Sequence, residues 1–134
     1  MVDWIQVYSP EKELAVLVQL AEKGDQVDWK PAIILAAVYL ERSSAARLKR
    51  HFEGRKITLS SKLDRLSLND LATFLYGLEL ISEKYFTWMT QIWSERIDIV
   101  HPRGTLPAYV GNEANEKYGE MIRQALEIMS FLKS

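Results

Sequence analysis

Arg96 and His101 stand five residues apart at the end of an apolar stretch, Tyr85 to Gly104, that is interrupted by Pro102. An imidazole is the side chain whose ordinary pKa suits proton transfer at neutral pH. A guanidinium stays charged and offers a planar fork for phosphate oxygens. Together the two suit metal-free cleavage of an RNA phosphodiester. The imidazole takes the 2′-hydroxyl proton, that oxygen attacks its own phosphate, and the guanidinium stabilises the charge gathering on the phosphorane. Spacing alone is weak support, because a chain with this many arginines meets an Arg-x4–6-His pattern by chance, and a helix C-terminus favours cations through its dipole.

Geometry decides whether the pair can act on one atom. On a continuous helix, residues five apart point about 140° away from each other. Proline at 102 disfavours the helical region for His101 and moves its backbone towards an extended conformation. The break therefore predicts that the imidazole swings back towards Arg96. The helix that carries the pair bears Phe86, Trp88, Met89, Ile92, Trp93, Ile97, Ile99 and Val100 around most of its circumference, the pattern of a buried helix.

The remaining elements follow in order. Residues 1–8 are ambiguous. Ser9-Pro10-Glu11 opens a first helix over roughly 10–23, ended by Gly24. Asp28 caps the second, whose apolar run Ala32–Leu40 closes at Glu41 and gives way to a basic amphipathic half that ends near Gly54. A glutamate ending such a run needs a partner if it is buried, and Arg96 and Arg42 are both candidates. Residues 55–66 read as a loop or short turn. Ser67-Leu-Asn-Asp70 resembles a capping box for a short helix ending near Leu80, and Ser82 caps the central helix. After a breaker-rich loop, a last helix begins near Asn112 or Asn115 with the stripe Tyr118, Met121, Ile122, Ala125, Leu126, Met129 and Leu132. The expectation is one all-α domain over 1–134, an up-and-down bundle of four to five helices.

Composition narrows the classes. The chain has 134 residues, 48% hydrophobic and 26% charged, with a net charge of −1, so only a local patch can meet a polyanion. One such patch exists. Glu41 to Arg65 holds eight Lys/Arg against three Asp/Glu, here read as a solvated basic face, with His51 as a surface residue on it. There is no cysteine, which rules out thiol chemistry and cysteine-bound zinc and favours the cytoplasm. No histidine–carboxylate metal spacing, phosphate-cradling glycine loop or dinucleotide fingerprint is present, so no metal or cofactor is expected. The start lacks a basic region followed by an apolar core, so no signal peptide is expected, and no run is long enough to span a bilayer.

At this point the chain resembles the HEPN domain family of helical-bundle ribonucleases and their non-catalytic relatives. The residues that carry the resemblance are Arg96-Ile-Asp-Ile-Val-His101 with the following Pro102, preceded by Leu78-Glu-Leu-Ile-Ser-Glu-Lys84 and, earlier, by Ala36-Ala-Val-Tyr-Leu-Glu41. The likeness is detailed over 32–104 and positional for the last helix. It implies a HEPN-like bundle, Arg96 and His101 as catalytic residues, and Glu41 facing the motif arginine. It also implies a metal-independent endoribonuclease leaving 2′,3′-cyclic phosphates, working as a homodimer with two motifs in one composite cleft. Some relatives act in defence or toxin–antitoxin systems with a neutralising partner. Arg103, Glu41 and Asp98 are candidate substrate-binding residues. Two positions depart from the pattern: Ile97 stands where the family often has Asn, and Arg103 where some toxins have Tyr. The alternative class is a non-catalytic dimeric module that binds RNA, nucleotide or a partner protein.

Overall fold

Each of the first four helices starts on a side chain that accepts from its open first turn, as the cap residues predict. In a computed structural model, which describes residues 9–55, 61–100 and 111–134, Ser9 Oγ accepts from the Lys12 amide at the start of α1 (Pro10–Glu22). Asp28 accepts from Lys30 at α2 (Trp29–Glu53), Ser67 from Asp70 at α3 (Leu68–Gly77), and Ser82 from Tyr85 at α4 (Glu83–Val100). A 3-10 turn (Ser61–Arg65) precedes α3, and α5 covers Gly111–Lys133.

The C-terminal ends of α1 and α3 use the same device. At α1, the Asp25 amide reaches Leu20 O at 3.0 Å and Gly24 reaches Ala21 O at 3.0 Å, with Gly24 at φ 86°. At α3, the Leu80 amide reaches Leu75 O at 2.9 Å and Glu79 reaches Tyr76 O at 3.0 Å. The residue that must turn left-handed there is Glu79, at φ 60°. Both are paired 6→1 and 5→2 closures that satisfy carbonyls the helix leaves open.

Cross-helix contacts fix the directions. Glu11 with Lys133 and Glu22 with Arg123 set α1 antiparallel to α5. Tyr85 against Phe131 and Glu95 against Tyr118 set α4 antiparallel to α5 as well. Trp29 Nε1 donating to Asn115, and Arg50 donating to the Leu132 and Lys133 carbonyls, set α2 parallel to α5. Thus α1, α2, α4 and α5 alternate up and down, with short α3 inserted between α2 and α4. The described residues contain helices and no strand, the all-α bundle expected.

The core lies where α2 and α5 face each other. Ala32, Ile33, Ala36, Ala37 and Leu40 of α2 are buried, as are Tyr118, Ile122, Ala125, Met129 and Leu132 of α5. The central helix corrects the sequence reading. Of its apolar residues only Met89 and Ile92 are fully buried, the two tryptophans pack partly exposed against the core, and Val100 is 46% exposed. Thr87, Gln91, Ser94 and Asp98 recur at steps of four, three and four and form an exposed polar stripe along α4. Within one chain it is an outer helix of the bundle. No helix among the described residues is long and apolar enough to cross a membrane.

Candidate functional site around Arg96

Arg96 lies in the last turns of α4, and Glu41 lies midway along antiparallel α2. Arg96 Nη1 donates to Glu41 Oε1 at 2.8 Å, and the two side chains are 29% and 23% exposed. This settles which arginine meets the glutamate that closes the apolar run. Arg42, the other candidate, instead lies over the Tyr39 ring, 5.3 Å from its centroid. The remaining guanidinium donors of Arg96 make no hydrogen bond to the described residues. A carboxylate that takes one donor of a five-donor fork fixes its plane and leaves an edge for a phosphate or other oxyanion.

The residue before Arg96 is tied in the opposite direction. The Tyr118 hydroxyl donates to Glu95 Oε1 at 2.6 Å, from a ring that is 5% exposed. Consecutive residues thus bind α4 to both of its long neighbours, Glu95 to α5 and Arg96 to α2. The sequence reading placed Tyr118 in the core stripe without assigning its hydroxyl. A buried tyrosine needs a polar partner, and Glu95, beside the motif arginine, was the signal available.

The other candidates divide. Asp98 is exposed on the polar stripe, two residues past Arg96 and so about 160° around the helix from it. It does not share the face that holds the ion pair. His101 and Arg103 lie outside the described residues, and so does the convergence of Arg96 with His101 that Pro102 predicts. His51 is only partly exposed, with its ring edge-on to Phe52 at 5.2 Å. Burial, then the charges of Arg55 and Arg47, hold its imidazole below the ordinary value. No three His, Asp or Glu side chains among the described residues are grouped to hold a metal ion.

A cleft of about 470 Å³ opens between α1 and the start of α5, lined by Val18, Glu22, Asn112, Glu116 and Arg123 among others. Neither Arg96 nor Glu41 lines it. Comparison with protein-family models, with curated proteins and with solved structures gives no match for this chain.

Proposed function

We propose that the chain is a metal-independent endoribonuclease of the HEPN type, cleaving RNA at a composite site between two copies and leaving 2′,3′-cyclic phosphate ends. The observation that carries this reading is the 2.8 Å pair between Arg96, the arginine of the Arg-x4-His sequence, and Glu41 of the early helix. The resemblance expects that glutamate to face the motif. In the proposed reaction His101 acts as general base on the 2′-hydroxyl, whose oxygen forms the cyclic P–O bond as the P–O5′ bond breaks and the 5′-oxygen leaves with a proton from water. Arg96, oriented by Glu41, receives the non-bridging oxygens, and Arg103 adds a second phosphate contact. The absence of cysteine supports a reducing compartment such as the cytoplasm. The domain would there act in a defence or toxin–antitoxin setting with a neutralising partner protein.

A second reading has its own support. Arg96 is already paired with a carboxylate, and Ile97 stands where the family often places a polar residue. Both features suit a non-catalytic dimeric module that binds RNA, nucleotide or a protein. The deciding experiment is incubation of the purified chain with mixed RNA in excess EDTA. Cyclic-phosphate products that vanish with His101→Ala and fall by a similar order with Arg96→Ala support the enzyme. Losing one general base costs ~10²–10⁴ in rate, well above background. RNA left intact by the wild-type chain, and bound equally well by His101→Ala, favours the module.

A further inference from the structure

Eight of the seventeen Lys/Arg but only three of the eighteen Asp/Glu fall between Glu41 and Arg65, in a chain whose net charge is −1. The structure shows how that local excess is arranged. Lys49 is neutralised by Asp64 at 2.8 Å, and Arg50 is spent on the carbonyls that end α5. Arg47 and Arg55 form no ion pair with any described carboxylate. They flank His51 at steps of four residues, the last step crossing Gly54, which keeps a right-handed helical conformation (φ −60°, ψ −19°). Four helical residues rise about 6 Å, so Arg47, His51 and Arg55 make a row about 12 Å long on one side of α2.

From this we infer that the C-terminal half of α2 is a second binding surface, separate from Arg96, for the phosphate backbone of single-stranded RNA. A compact anion would be gripped by donors converging on one point. Two unpaired guanidiniums about 12 Å apart along the helix, with a neutral imidazole between them, instead suit successive phosphates of a linear polyanion. The row is rigidly held, because Arg50 ties this end of α2 to α5 and the His51 ring sits against Phe52. Burial first, and then the charges of Arg55 and Arg47 on either side, hold the His51 imidazole low. Glu41 lies six to fourteen residues before the row on the same helix, about 9–21 Å along its axis, so one strand can run from the row towards Arg96. The choice of RNA over DNA rests on the ribonuclease proposal; the recognition of phosphate does not.

The test is fluorescence anisotropy with an end-labelled 20-nucleotide single-stranded RNA of mixed sequence, using the full chain carrying His101→Ala so that no cleavage intervenes. Adding Arg47→Glu and Arg55→Glu should weaken binding at least tenfold at 0.1 M salt. The salt slope should flatten by about 1.4, at ~0.7 for each lost phosphate contact. Arg47→Lys with Arg55→Lys should retain most of the affinity, while Arg96→Ala should leave the slope within one contact of the parent. A folded double reversal, checked by circular dichroism, that binds with unchanged affinity and slope overturns the inference. So does displacement of the RNA by poly-glutamate as readily as by unlabelled RNA at equal charge, which assigns the row to an acidic protein surface. Binding that depends on the row in a chain that cleaves nothing removes the ribonuclease reading and leaves this surface standing. Cleavage with binding indifferent to the row does the reverse.

Discussion

Glu41 and Arg96 are each about three-quarters covered, so their pairing replaces hydration that neither keeps. Arg96→Ala leaves a largely enclosed carboxylate without its cation and is expected to cost ~1–3 kcal/mol. Glu41→Gln keeps an acceptor for Arg96 and should cost less, and if the proposed ribonuclease activity holds it should weaken rather than abolish cleavage. Urea denaturation of both single variants and the double variant should give a coupling of about 1 kcal/mol; strict additivity would mean that the pair does not hold α4 on α2. Half of this pair was legible beforehand. A glutamate closing nine apolar residues announces that it needs a cation, but the sequence does not say which. Arg42 adjoins Glu41 on the same helix, about 100° around it, whereas Arg96 arrives from an antiparallel neighbour. Only the packing of α4 on α2 separates the two. Ser44 is a smaller case. It is buried on α2 with no hydrogen-bond partner for its Oγ among the described residues. Ser44→Ala removes an unsatisfied group and raises helix propensity, so thermal unfolding should shift upward, by the equivalent of ~0.5–1.5 kcal/mol.

At the scale of elements, the helix ends of α1 and α3 invite a direct comparison. Gly24 turns left-handed at φ 86° without a side-chain penalty, whereas Glu79 does so at φ 60° with a Cβ. Glu79→Gly should therefore stabilise the chain, by up to about 1 kcal/mol after glycine's entropy in the unfolded state is deducted. A loss of stability in chemical denaturation would show that the Glu79 side chain contributes more than its backbone strain costs. The glycine end was predictable and this one was not, because glutamate carries no turn signal. The four capped starts were readable because a hydroxyl or carboxylate ahead of an apolar periodicity has one local use. The burial of α4 was misread for a related reason. Its aromatic residues hid a polar stripe spaced at four, three and four, and only the packing of α4 on α2, α3 and α5 shows which side is outermost.

The clamp between α1 and α5 also belongs to this scale. Hydrogen bonding to Lys133, then to its own backbone amide and to Ser9, holds the Glu11 carboxyl at about 2, below an ordinary value of 4.5. The folded-state value is the lower one, so the stabilisation is present above about pH 4.5 and is lost as pH falls towards 2. Glu11→Gln should flatten the acid limb of a plot of stability against pH in that window and leave the slope near neutrality unchanged. An unaltered acid limb would show that the lysine contact is not kept in solution.

At the scale of the whole molecule, the question is what meets the C-terminal end of α4 beside Arg96. Trp88, Trp93 and Ile97 are partly buried, the two tryptophans against the core, while Val100 is 46% exposed at the end nearest the proposed motif. One chain therefore leaves apolar surface beside Arg96, where the composite-cleft proposal requires a second copy. That proposal predicts that the 15.5 kDa chain sediments at about twice its mass at micromolar concentration. A stable two-fold contact of this kind buries more than about 1,000 Å² in total. Val100 supplies a clean lever, because it is already exposed in the single chain and a charge there costs the isolated fold little. Val100→Glu should shift the chain to a monomer with its far-ultraviolet circular dichroism intact. If two motifs form one cleft, cleavage should fall with the dimer and recover as protein concentration rises. A wild-type chain that sediments as a monomer and still cleaves RNA at full rate would place the whole reaction within one copy.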